Sequence, residues 1–234
     1  MKCVGIVGFS GKEGKSLVVK LSKELRRREY KVAFIKCATN IQGLVEKEIN
    51  EEEIYTQTII NCFPGETTFS FKNAKSLEDI LALIDADYVL IEGFEEDKSY
   101  PRIVFIGENR KGKDSFNGLE IAGYGRTQIP HFAVTQDITQ LVDIIEEKSF
   151  KLPNLDCGAC GCESCYTFAQ EIIKGNKKLE DCVSLNPKVK VKIEGTPLPM
   201  NPFISGIVEN TVRALLSSLK GYKKGCIEIS ISKR

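Results

Sequence analysis

Cys157, Cys160 and Cys165 fall within nine residues, in the stretch LPNLDCGACGCESCYTFAQEIIKGNKKLEDC, and sixteen residues separate Cys165 from Cys182. Thiolates are soft ligands, and four of them from one short segment can wrap a compact inorganic centre. Gly158 and Gly161 permit the positive-φ turns that aim N–H groups and thiolates inward at bound sulfides. Zinc also accepts four thiolates, but its cysteines usually come as two close couples. Here three cluster and one is remote, so the spacing points to a 4Fe-4S centre with Cys157, Cys160, Cys165 and Cys182 as ligands. Cys162 is left over, as a spare, oxidisable thiol or, in the competing reading, an alternative ligand. The dispersed Cys3, Cys37, Cys62 and Cys226 are expected to behave as small buried apolar residues.

A second candidate site is the string GFSGKEGKS, placed between an apolar run and a helical pattern. Backbone N–H groups of a glycine-rich turn, the positive end of the following helix and a lysine together make a phosphate cradle. Gly8, Gly11 and Gly14 would let the backbone approach. Lys15 would neutralise phosphate charge and Ser16 would offer its hydroxyl to Mg2+. Lys12 and Leu17 complete the candidate nucleotide-binding stretch. The usual spacing puts four residues between the first glycine and Gly-Lys-Ser/Thr, whereas five separate Gly8 from Gly14. A strand-to-helix turn with no ligand is the plainer alternative. In DYVLIEGF the acid Glu92 ends a β-branched run, where a carboxylate can hold magnesium through water or position an attacking water. A solvated strand-end carboxylate is the competing reading. His131, the only histidine, is expected to be structural.

These groups need a scaffold. Apolar runs at Lys2–Val7, Lys31–Ile35, Thr67–Phe71, Asp87–Ile91, Arg102–Ile106 and His131–Thr135 read as strands, with helical patterns from Leu17 to Leu25, Leu77 to Ile84 and Ile138 to Ile145. Strands alternating with helices predict a mostly parallel α/β sheet with helices on both faces. A helix beginning near Ser164 and ended by Gly175 would return the chain to Cys182. Beyond it, Val189–Ile193, Ile204–Leu219 and Ile227–Ile231 predict a strand–helix–strand unit. The expected division is 1–148 for the nucleotide unit, 149–185 for the cluster module and 186–234 for the C-terminal unit. The net charge of +1 gives no basic excess for nucleic acid, no apolar run has the length of a membrane span, and the expected compartment is the cytosol.

Residues 1–147 resemble the MobB family, GTP-binding adaptors of molybdopterin guanine dinucleotide cofactor biosynthesis. The resemblance rests on the first strand and loop, Phe34-Ile35-Lys36, DYVLIEGF and the late AVTQD. It implies a P-loop NTPase-like fold, GTP and Mg2+ at Gly11, Gly14, Lys15 and Ser16, Glu92 beside them, and a family acid at Asp137. It also implies a homodimer and a nucleotidyltransferase or molybdo/tungsto-enzyme client as partner. Lys36-Cys37 stands where the family has Lys-His, and Glu95 where it has lysine. The cysteine segment is similar to the 4Fe-4S domain of Rnf-type B subunits and of the corrinoid iron–sulfur protein, through Leu152-Pro153, Cys157-Gly158, Cys160-Gly161, Cys165 and Phe168-Ala169.

Three readings follow. The first is a GTP-binding iron–sulfur accessory protein of molybdenum or tungsten cofactor biosynthesis, at most a slow GTPase. The second is a nucleotide-switched electron-transfer or cluster-delivery protein serving a client metalloenzyme. In the third the cluster is only a staple for a module too small to hold a core.

Overall fold

The computed structural model describes residues 1–8, 12–37, 58–63, 65–71, 73–106, 116–187, 189–193, 195–198 and 200–231. Six strands form one parallel sheet: β1 (Lys2–Val7), β2 (Val32–Lys36), β5 (Tyr88–Glu92), β6 (Arg102–Ile106), β7 (Glu120–Gly125) and β8 (Ala133–Thr135). Their spatial order is β2-β5-β1-β6-β7-β8. The intervening β3 (Thr58–Phe63) and β4 (Glu66–Phe71) pair only with each other, as an antiparallel hairpin.

The strands alternate their side chains between two apolar layers. Val4, Ile6, Tyr88, Leu90 and Ile103 face Leu17, Leu21 and Leu25 of α1 (Lys12–Arg27) and Leu141, Val142 and Ile145 of α3 (Ile138–Lys148). Burying each of these leucines stabilises the fold by about 1.5–3 kcal/mol. Cys3, Ile35, Val89 and Ile91 face the opposite layer, with Leu77 and Leu81 of α2 (Leu77–Leu81) and Tyr100. Helices on both faces are therefore present, but unequally: among the described residues the second face carries this short helix and the loop after β5 on one side, and Phe116, Ile129 and Phe132 packed on Val104, Ile106 and Val134 on the other. Arg28 locks α1 to α3, pairing with Glu24, Asp143 and Glu146 at 3.2, 2.7 and 2.8 Å.

β7 is the strand that periodicity misses, because Gly123 and Gly125 interrupt its apolar pattern. Gly125 is required sterically, since a Cβ there would lie 2.5 Å from the Ile106 carbonyl oxygen, and one at Gly123 would displace the Ile106 Cδ1 methyl, 2.6 Å away. β6 and β7 can approach this closely only without a side chain at Gly125.

After α3 the chain runs through Ser149–Leu152 into the cysteine segment, then α4 (Cys165–Ile173) and a 3-10 turn, Leu179–Asp181. Ser164 caps α4, accepting the Thr167 N–H at 3.1 Å, and Gly175 (φ 80) ends the turn after it. Ser149 is buried and its hydroxyl has no hydrogen-bond partner among the described residues. Ser149→Ala should therefore stabilise the protein by about 1 kcal/mol, since an unpaired buried hydroxyl costs more than it contributes. At this chain length that is a rise of about 2–4 °C in Tm, readable by calorimetry.

The C-terminal part differs from the expected strand–helix–strand. β9 (Val191–Ile193) and β10 (Thr196–Leu198) form a short hairpin, followed by α5 (Pro202–Ser217), capped by Asn201. Residues 227–231 are not a strand. They run beside β9 and α5 along a groove of about 420 Å³, with Ile229 and Ile231 exposed. Their alternating pattern lacks the ladder of backbone partners that turns an extended segment into a strand. Among the described residues, no helix is long and apolar enough to cross a membrane.

Candidate functional site

Strand β1 ends at Val7, and Gly8 turns the chain with φ 92. Helix α1 begins at Lys12, so Gly14, Lys15 and Ser16 fall within its opening turns and not ahead of them. Ser16 is exposed. Gly11 lies outside the described residues, as do the side chains of Lys12 and Lys15. The Leu17 side chain is 1% exposed in the core beneath α1, where it holds the helix on the sheet, so of this residue only the backbone is left to face a ligand.

Glu92 ends β5, the neighbour of β1, at the carboxyl edge where the Gly8 turn also lies. Open parallel sheets bind ligands along that edge. Lys36, level with Glu92 on β2, pairs with its carboxylate at 2.7 Å. The next two residues, Gly93 (φ 90) and Phe94 (φ 53), are both left-handed. For Phe94 this conformation costs about 1–3 kcal/mol, and such strain gathers at functional turns. Gly93 is obligatory, because a Cβ there would lie 2.7 Å from Cys37 Cβ. Asp137 has a plainer task than a ligand site: its carboxylate caps α3, accepting the Thr139 and Gln140 N–H groups at 2.8 and 3.3 Å.

Cys157, Cys160, Cys165 and Cys182 line a single hollow with Pro153, Leu155, Phe168 and Ser184. Cys162 is not on its lining. Gly158 (φ 68) and Gly161 (φ 77) take the left-handed turns anticipated for them. Asp156 Oδ1 accepts the Cys165 N–H at 2.6 Å and fixes the start of α4 against the loop. Burial pushes the Cys165 and Cys182 thiols up, while backbone groups of Asp156 and Leu155, and of Leu185 and Ser184, favour the respective thiolates. Soft sulfur donors, apolar walls and backbone dipoles aimed at sulfur fit an iron–sulfur centre. Among the described residues, no three His, Cys, Asp or Glu side chains converge as a site for a single metal ion. Cys3, by contrast, is fully buried, and burial pushes its thiol up to about 12, so it is inert core.

The hollow is attached to the sheet. Phe168, Ala169 and Cys182 share an apolar cluster with Leu119, Phe150 and Leu152. Tyr166 Oη and Gln170 Nε2 each donate to the Asn117 carbonyl at 2.6 Å. Asn117 is held by Glu120, a buried carboxylate that accepts its N–H at 3.0 Å and pairs with Arg102 at 2.7 Å. Lys151 is the residue sequence reasoning missed. Its ammonium donates to Ser99 Oγ at 2.5 Å and pairs with Glu78 at 3.1 Å and Asp97 at 3.5 Å. In the sequence it reads as an ordinary linker lysine, and its side-chain partners lie 52 or more residues away.

Residues 152–184 match a family model described as "Putative Fe-S cluster". Over its whole length the chain is similar to a Methanocaldococcus jannaschii protein named "Putative molybdopterin-guanine dinucleotide biosynthesis adapter protein". The two are 28% identical over 250 residues, covering 100% of this chain and 99% of that one. A local similarity, 30% identical over 63 residues, covers 27% of this chain and 36% of a component of the ion-translocating oxidoreductase complex of Buchnera aphidicola. Among solved structures, Bacillus subtilis MobB aligns at a TM-score of 0.50 with 15% identity, over 62% of this chain and 98% of its own. The chain therefore shares the fold of MobB, a mostly parallel sheet with helices, and its residues 152–184 match the Fe-S cluster model.

Proposed function

We propose that this chain is an accessory protein of molybdopterin-guanine dinucleotide biosynthesis, binding GTP with Mg2+ at residues 8–16, where β1 gives way to the start of α1, and a 4Fe-4S cluster on Cys157, Cys160, Cys165 and Cys182. The observation that carries the reading is the convergence of those four thiols on one hollow, docked on a sheet whose first strand opens into a glycine turn and helix. Lys15 and the helix amino end would balance phosphate charge, and Ser16 would face the magnesium. Glu92, steadied by Lys36, would orient water at the magnesium or the terminal phosphate. The cluster, when bound, supplies one-electron chemistry. The chain's own residues hold it, screen it with Phe168 and Leu155, and aim backbone groups at its thiolates. Residues 1–148, 149–185 and 186–234 would serve as nucleotide unit, cluster module and C-terminal unit, working with a nucleotidyltransferase, and the chain would act as a homodimer.

Anaerobic purification with iron and sulfide analysis, then calorimetric titration with GTP, ATP and Mg2+, tests this reading. Colourless protein without iron removes the cluster, and titrations without heat remove the nucleotide. Cys162→Ser should retain full iron content, because Cys162 is off the hollow's lining; loss of iron in that variant would reassign the ligand set.

The local similarity to an oxidoreductase component favours a second reading, electron or cluster delivery to a client enzyme. Adding the protein to a molybdopterin guanylyltransferase assay separates the two. The first reading requires faster guanylyl transfer, and the second requires electron flow to an acceptor with no effect on that transfer.

A further inference from the structure

Between Glu92 and the first cluster cysteine the chain is tied to itself at each step. Phe94, held left-handed after Gly93, presents its carbonyl to the Asp97 N–H at 3.0 Å and to Tyr100 Oη at 3.3 Å. Asp97 in turn accepts from the N–H of Ser99 at 2.9 Å and from its hydroxyl. Ser99 is fully buried, and its carbonyl accepts the Leu152 N–H at 2.8 Å. Lys151, whose side chain is only 12% exposed, closes the knot by bonding Ser99 and Asp97 together. On the far side Leu152 packs with Phe168 and Cys182, and Lys98 lies 5.2 Å over the ring of Tyr166, the residue after Cys165. A strained turn at one end and an apolar anchor at the other are joined by buried polar groups, which have discrete arrangements and do not deform gradually.

We infer that residues 92–100, clasped by Lys151, form a strap through which nucleotide at the amino end of α1 and the redox state of the cysteine hollow bias each other. The inference rests on the proposed occupants of both sites. Ligand contact at Glu92 selects among backbone arrangements of Gly93–Phe94. Each arrangement moves the Asp97–Ser99–Lys151 knot, and with it Leu152 and the Lys98–Tyr166 contact beside the thiols. Coupling between two sites is reciprocal, so the same factor must appear in both directions.

The test uses full-length protein loaded with iron under anaerobic conditions. GTP·Mg2+ affinity is measured by calorimetry on oxidised and on dithionite-reduced protein, and the cluster's reduction potential is titrated with and without GTP·Mg2+. Expected is an affinity ratio of about fivefold or more, with a potential shift of matching sign and size. In the Lys151→Met/Asp97→Asn double variant, which removes both charges of the knot and leaves only the half-exposed Glu78 without its partner, the ratio should fall to about one while iron content and GTP binding persist. Ser99→Ala, which removes a single hydroxyl, should reduce the ratio in the same direction. Hydrogen exchange at residues 150–153 should respond to nucleotide in the wild type and not in these variants. A ratio of one in wild-type protein that holds both iron and nucleotide overturns the strap alone, as does full coupling in both variants. Wild-type protein lacking iron or nucleotide binding overturns the underlying reading, and the inference with it.

Discussion

Cys160→Ser, produced and purified without oxygen, is expected to lose the brown chromophore, with iron and labile sulfide falling from about four per chain to well below one. A hydroxyl is a hard, weakly acidic donor and a poor substitute for thiolate on iron. The loss should extend beyond colour. Cys182 and Phe168 belong to the small apolar cluster that holds the module on Leu119, Phe150 and Leu152, so emptying the hollow loosens that layer. Rapid proteolysis within residues 153–187, with residues 1–148 surviving, is the accompanying result on a gel. A variant that keeps its spectrum and four irons would remove Cys160 from the ligands.

Lys15→Ala should weaken GTP·Mg2+ binding by about a hundredfold, while iron content stays at the wild-type level. A charged hydrogen bond contributes about 1.5–3 kcal/mol, and each 1.4 kcal/mol is tenfold in affinity. The calorimetric titration that fixes the wild-type constant reads this directly. Binding unchanged in the variant would mean that the α1 amino end does not hold the phosphates. Loss of iron together with binding would mean that Lys15 is needed to build the protein, not only its ligand site.

The parts most easily read from the residues were those where a single local rule decides the outcome. Arg102–Ile106 emerged as a strand with the bounds expected, because an uninterrupted apolar run, Ile103 to Ile106, with side chains reaching both layers has few alternatives. The helix after Ser164 and its end at Gly175 followed from a capping side chain and a glycine needed for positive φ. The four cysteines shared a hollow because ligand spacing is a local constraint.

Long-range packing was the hidden part. β7 escaped because Gly123 and Gly125 answer to Ile106 on the adjoining strand, a relation invisible along the chain. Leu17 was placed in the ligand stretch by its position after Ser16, although its neighbours Leu21 and Leu25 already marked the face it shares with them. Ile227–Ile231 has strand periodicity, yet pairing depends on a partner that no pattern within five residues can provide. Lys151 draws its role from Glu78, Asp97 and Ser99, none of which is near it in sequence.

Gly93 carries a wider lesson for tracing related chains. Its missing side chain is demanded by Cys37, just past the end of the adjacent strand, at 2.7 Å, independently of any triphosphate. The Glu-Gly-Phe string is therefore a signature of how two neighbouring strands fit, and descendants that had abandoned nucleotides altogether would still retain its glycine.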